Sequence, residues 1–172
     1  MLRLAPFRRS DVATVASWFS SEAEAAQWGG AGMRYPVEPQ LAAILEETAG
    51  SPPARLAWMA RREDRTVGHA ELGLDWVNGV ARLGRVGLAP DARGKGLAKP
   101  MLRLVLDQAF AIPDIQRVDL QVYTFNTRAS RTYEAMGFVR EGVMRSCARV
   151  GSERWDAILM SMLRPEWLAL RG

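Results

Sequence analysis

The chain has 172 residues, 48% of them hydrophobic, which fits a single domain, 1–172, with a proper core. One cysteine, Cys147, and one histidine, His69, exclude an internal disulfide and a Cys/His metal site, and no apolar run approaches the roughly 20 residues needed to cross a bilayer. The net charge of +4 comes from 23 basic and 19 acidic residues spread without a dense basic block, so nucleic acid and membrane are not the expected partners and a cytoplasmic setting is.

In chain order, Leu2-Arg3-Leu4 reads as a short strand, and Ser10-Asp11 offers an N-cap ahead of Val12, Val15, Trp18 and Phe19 at helical spacing. Gln27-Trp28-Gly29-Gly30-Ala31-Gly32 is too glycine-rich for regular structure, whereas residues 39–48 resume a helical pattern that Gly50-Ser51-Pro52-Pro53 stops. Residues 55–62 and 66–75 are strand-like on either side of Glu63-Asp64-Arg65, and Asn78-Gly79 is a hairpin turn into a third strand, 80–88. A helix to about Phe110, a strand at 117–123, a helix at 127–136 and two strands split near Gly151 complete the pattern. An α+β fold is expected, with a mixed, largely antiparallel sheet of about seven strands flanked by about four helices.

Two segments carry chemistry. In Arg93-Gly94-Lys95-Gly96-Leu97-Ala98 a strand gives way to a glycine turn and then a helix, so free backbone N–H groups and a positive helix end meet an anion, best a pyrophosphate. Arg93, Lys95 and Lys99 add charge, and Pro100 falls in the first helical turn, where a missing N–H is tolerated. Neither a G-x-G-x-x-G spacing nor a Gly-Lys-Ser/Thr ending is present, which disfavours a dinucleotide or P-loop site. Further on, Asn126 and Tyr133 are seven residues apart, close to two helical turns, so one ligand can touch both. A plain N-cap, a core aromatic and a C-cap at Gly137 account for the same residues.

Together these segments resemble the GNAT superfamily of N-acetyltransferases, whose acetyl-CoA loop has the form Arg/Gln-x-x-Gly-x-Gly/Ala, with Asn126, Ala129, Tyr133, Gly137 and Phe138 similar to its second cofactor element. Glu141-Gly142, Trp155-Asp156 and Met160-Ser161-Met162-Leu163 look like the branch that acetylates N-terminal amines of ribosomal proteins, which is similar in turn to polyamine and aminoglycoside acetyltransferases. The resemblance implies a sheet splayed at its fourth strand, with Val86 and Leu88 holding the pantetheine arm and the Leu88 N–H polarising the thioester. It implies acetyl-CoA as donor with CoA as product, cofactor contacts from Arg93 to Lys99 and from Asn126, Arg131 and Tyr133, and Tyr133 as general acid. A homodimer through the C-terminal strands is implied as well.

The expected activity is direct transfer to a primary amine, a protein N-terminus or a small molecule; the alternative is a non-catalytic acyl-CoA-binding regulatory domain. Carboxylates that relatives use as base fall here on Gln121 and Arg82, which feeds that alternative. Period-two alternation puts His69, Glu71 and Asp75 on one strand face, making Glu71 the leading substitute base, unless that face is simply solvated. Trp28, Tyr35, His69 and Glu71 are the candidate acceptor contacts, with Glu22 and Glu24 placed to attract an ammonium group.

Overall fold

The computed structural model describes residues 1–171. Strands β1 (Leu2–Pro6), β2 (Arg55–Arg62), β3 (Arg65–Asp75), β4 (Val80–Leu88), β5 (Arg117–Tyr123), β6 (Val139–Val150) and β7 (Glu153–Leu163) form one sheet in the order β1-β2-β3-β4-β5-β7-β6. Every pairing is antiparallel except β4 with β5. That parallel pair needs a crossover, supplied by α4 (Ala98–Ala111).

Six α-helices stand where about four were expected. The helix expected behind Ser10-Asp11 is α1, short at Val12–Ala16, and the helical pattern of residues 39–48 is α3 (Glu38–Thr48); the two further ones are α2 (Glu22–Gly29) and α6 (Arg164–Arg171), which follows β7 directly, while α5 (Thr127–Glu134) joins β5 to β6. The glycine-rich stretch does not exclude helix; it ends one. Ser21 caps α2 by accepting the Glu24 N–H at 3.2 Å, Ala25 and Ala26 bury, and Gly30 leaves the helix at φ +91°. At α6, Trp167 buries against Phe110 with ring centroids 6.2 Å apart, and Arg164 donates to the Phe110 carbonyl at 2.8 Å where α4 ends.

Alternation along β2 and β3 sorts the core into two layers. Trp58, Ala70 and Leu72 pack with Leu102, Leu106 and Phe110 of α4 on one side, and Ala57, Met59 and Val67 pack with Val15, Leu41 and Ile44 of α1 and α3 on the other. Among the described residues no helix is long and apolar enough to cross a membrane, and no cluster of three metal-ligating side chains occurs.

Candidate active site

The site begins where β4 and β5 separate. Their register runs only from Val80↔Arg117 to Leu83↔Leu120. Beyond it β4 breaks register against β3 between His69 and Glu71, with Arg85 in the left-handed region at φ 46°. The Ala89 N–H donates to the Val67 carbonyl at 3.0 Å, so alternation turns the Leu88 N–H away from β3 and into the opening. The Leu88 carbonyl accepts from Arg93 Nε at 3.2 Å, which ties the glycine turn to the splayed strand.

A cavity of about 770 Å³ fills this opening. Val86, Leu88, Arg93 and Ala98 line one end with Asn126, Ala129 and Tyr133. Gly94 (φ +77°) and Gly96 (φ +72°) hold backbone conformations that side chains disfavour, and a methyl group at either would meet nothing within 4 Å. Conformation, not crowding, requires glycine there, and it leaves open space above the N-terminus of α4. Lys95 and Lys99 are exposed beside that space. Asn126 is the N-cap of α5, its Oδ1 accepting the Ala129 N–H at 3.3 Å, while it also lines the cavity. Arg131 does not line it; Arg128 and Thr132 do.

Tyr133 is buried, edge-on to Phe138 with ring centroids 5.7 Å apart, and burial pushes its phenol up to about 12. It is therefore a core aromatic and a cavity-lining hydroxyl at once, and the two sequence readings of this position are not exclusive.

The other end of the cavity is lined by Trp18, Phe19, Glu24 and Trp28 above and by Arg55, Gly73, Arg82, Arg85, Gln121 and Tyr123 of the sheet. Gln121 and Arg82, the two positions without a carboxylate, both face it. Arg82 forms a fork with Asp119, Nε–Oδ1 2.8 Å and Nη2–Oδ2 3.0 Å. Tyr35 is exposed outside the cavity, and Glu22 is occupied by Arg34 and by the Tyr35 N–H at 2.8 Å. Glu24 lines the cavity, but the Ser20 N–H at 2.8 Å and hydroxyl at 2.9 Å hold its carboxyl below the ordinary range. Cys147, read as an inert strand residue, is exposed on the cavity wall.

The strand face carrying His69 and Glu71 is neither solvated nor part of the cavity wall, which corrects their reading as acceptor contacts. Both side chains are fully buried, with His69 Nε2 and Glu71 Oε1 3.6 Å apart. Glu71 Oε2 accepts from Arg55 Nη1 at 3.0 Å and Arg85 Nη1 at 2.9 Å, so the two arginines stand between it and the cavity. Asp75, the third member of that face, bonds Asn78 at the hairpin. Burial raises the Glu71 carboxyl above its ordinary value, against the pull of Arg85 and Arg55. Sequence reasoning missed Arg55, Arg85 and Arg128; Arg55 opens β2 and Arg85 lies inside β4, the two strands that border Glu71.

Loss of water holds the His69 imidazole down to about 4, against the lift from the Arg85 carbonyl 3.1 Å from Nδ1. The unfolded chain takes that proton near 6.5 and the folded one only near 4, so between these values stability falls as pH falls. The span is worth on the order of 3 kcal/mol. His69→Gln is expected to flatten this part of the urea-unfolding profile; a slope equal to that of the parent would show that His69 does not set it.

Residues 15–138 match the model of the Acetyltransferase (GNAT) family. An uncharacterized N-acetyltransferase from a Bacillus subtilis prophage, YokL, is 37% identical over 75 residues, 44% of this chain and 42% of that protein. The spermidine N(1)-acetyltransferase of Vibrio cholerae is 31% identical over 81 residues, 47% of each chain, and the putative ribosomal N-acetyltransferase YdaF of Bacillus subtilis 30% over 94 residues, 55% of this chain and 51% of that one. The chain thus spans about half the length of these curated relatives. In fold it is similar to spermidine N-acetyltransferase from Vibrio cholerae in complex with CoA and spermine, with a TM-score of 0.83, 21% identity, and coverage of 97% of this chain and 98% of that one.

Proposed function

The chain belongs to the Acetyltransferase (GNAT) family, and on that footing we propose that it is, as a single domain, an acetyl-CoA-dependent N-acetyltransferase that acetylates a primary amine by direct attack. The observation that carries this reading is the splay of β4 from β5, which leaves a strand edge facing a cavity that also holds Tyr133. Acetyl-CoA supplies the activated acetyl thioester. The backbone N–H groups around Gly94 and Gly96, with Arg93 and Lys95, hold its pyrophosphate, and the edge of Val86 and Leu88 holds the pantetheine arm. The Leu88 N–H donates to the carbonyl oxygen as negative charge grows there, an effect of about 3 kcal/mol for a well-aimed donor.

Tyr133 donates to the departing sulfur. Burial pushes its phenol up to about 12, so the hydroxyl is protonated at neutral pH and is the hydrogen-bond donor available to the thiolate. No carboxylate but Glu24 lines the cavity among the described residues, so deprotonation falls to solvent or to an amine that is neutral on arrival. An α-amine, ordinarily near 7.7–8.0, meets that condition more easily than an alkylamine near 10.4. This keeps peptide N-termini, the substrates of the ribosomal-protein branch, among the candidate acceptors. A homodimer through the β6 edge belongs to the same reading, since Val139 and Val143 are exposed there.

CoA release from acetyl-CoA, measured across peptide, amino-acid, polyamine and aminoglycoside amines, tests the activity. Release above the hydrolysis background with any of them is expected. Tight CoA binding without release for every amine would make the chain a binding module.

A further inference from the structure

The acceptor half of the cavity is built of positive charge. Among the described residues five arginines line the cavity, Arg55, Arg82, Arg85, Arg93 and Arg128, against the single carboxylate of Glu24. Arg93 stands at the glycine turn with its Nε on the Leu88 carbonyl and Arg128 sits on α5, but the other three lie together on the sheet. Arg55 pairs across β2–β3 with Gly73, and Gly73 pairs across β3–β4 with Arg82, so one bare glycine separates two arginines on the same face. Arg85 joins them by sharing Glu71 Oε2 with Arg55.

The carboxylates that pair with these arginines, Glu47 and Glu71 with Arg55, Glu71 with Arg85 and Asp119 with Arg82, lie behind them and do not line the cavity, so an acceptor meets guanidinium groups. Glu71 serves two guanidinium groups with one oxygen, and Asp119 serves both Arg82 and, at 3.6 Å, Arg117. Donors remain free: Arg82 spends Nε and Nη2 on Asp119 and keeps Nη1, with 56% of its side chain exposed. Arg55 spends Nε and Nη1 and keeps Nη2. A polyamine entering here would bring further ammonium groups to a wall of like charge, and the one carboxylate available is already bonded to Ser20.

We propose that the acceptor is a primary amine whose own skeleton carries a carboxylate, read by Arg82 and Arg55 across Gly73, and that spermidine-like polyamines are excluded. The inference rests on the acetyltransferase reading and names the substrate class of the same site.

The test compares CoA release with four acceptors: free glutamate, a C-terminally amidated peptide beginning with Asp, the same peptide beginning with Asn, and spermidine. The expected result is a kcat/KM about tenfold or more higher for the Asp than for the Asn peptide, with spermidine at background. Glutamate against the Asp peptide tells a free amino acid from a peptide as the source. In Arg82→Gln the Asp-over-Asn preference is expected to collapse toward unity while the KM for acetyl-CoA holds. Faster turnover of spermidine or of the Asn peptide overturns the substrate class and leaves the acetyltransferase reading standing. If no amine releases CoA, that reading fails, and calorimetric titration of the same four compounds into CoA-saturated protein still decides the class: tighter binding of the acidic compounds upholds it, and tighter binding of spermidine or of the Asn peptide overturns it.

Discussion

Tyr133→Phe is expected to lower kcat by about a hundredfold, the value of a hydrogen bond to a charged group, with KM for acetyl-CoA and the melting temperature nearly unchanged. The ring is what the core uses, and phenylalanine keeps the edge-on contact with Phe138. Only the hydroxyl is lost, and it matters where the sulfur takes up charge. Since the phenol stays protonated up to about 12, the parent enzyme should show no alkaline loss of rate attributable to this group in the neutral and mildly basic range. Steady-state kinetics with the preferred amine, paired with thermal melts, read both sides. A fall beyond about a thousandfold would mean that the phenol transfers its proton completely, and an unchanged kcat would remove Tyr133 from the chemistry.

The parts of this site that depend on local chain geometry were legible in the sequence. The strand bounds 55–62, 80–88 and 117–123 are those observed, because each is an apolar run or alternation set off by turn signals. The glycine turn and the cap at Asn126 were readable for the same reason. Errors arose where a tertiary neighbour decides the outcome. Alternation places His69 and Glu71 on one face, but it says nothing of what covers that face, which is the layer of α1 and α3 together with Phe7 and Trp28. Nor does it say that Arg55 and Arg85, on neighbouring strands, converge on Glu71. The resemblance implies a contact from Arg131, but at about 100° per residue Asn126, Arg128, Ala129, Thr132 and Tyr133 occupy one arc of α5 and Arg131 lies outside it. Of the short helices, α1 was legible from the spacing of Val12 and Val15 but ends at Ala16, before Trp18 and Phe19, and α2 was not, because it carries the glycines that end it.

Glu71→Gln is expected to cost about 3 kcal/mol of stability, a drop in melting temperature of roughly 6–12 °C for a chain of this size. The reason is the pair of guanidinium groups it holds. Arg55 retains Glu47 at 2.8 Å, but Arg85 has its Nη1 on Glu71 and its Nε buried without a partner, so removing the carboxylate leaves a cation in a poorly hydrated site. Glutamine keeps the shape and one acceptor oxygen, which separates the charge effect from cavity formation. The same variant decides whether Glu71 is the base. A carboxylate fully buried behind two arginines cannot exchange protons with an amine in the cavity, so transfer measured well below the melting temperature should keep the parent's pH profile even as the fold weakens. Loss of the acidic limb of that profile, in protein shown by circular dichroism to be folded, would place Glu71 in proton transfer. It would also require Arg55 or Arg85 to swing aside during turnover.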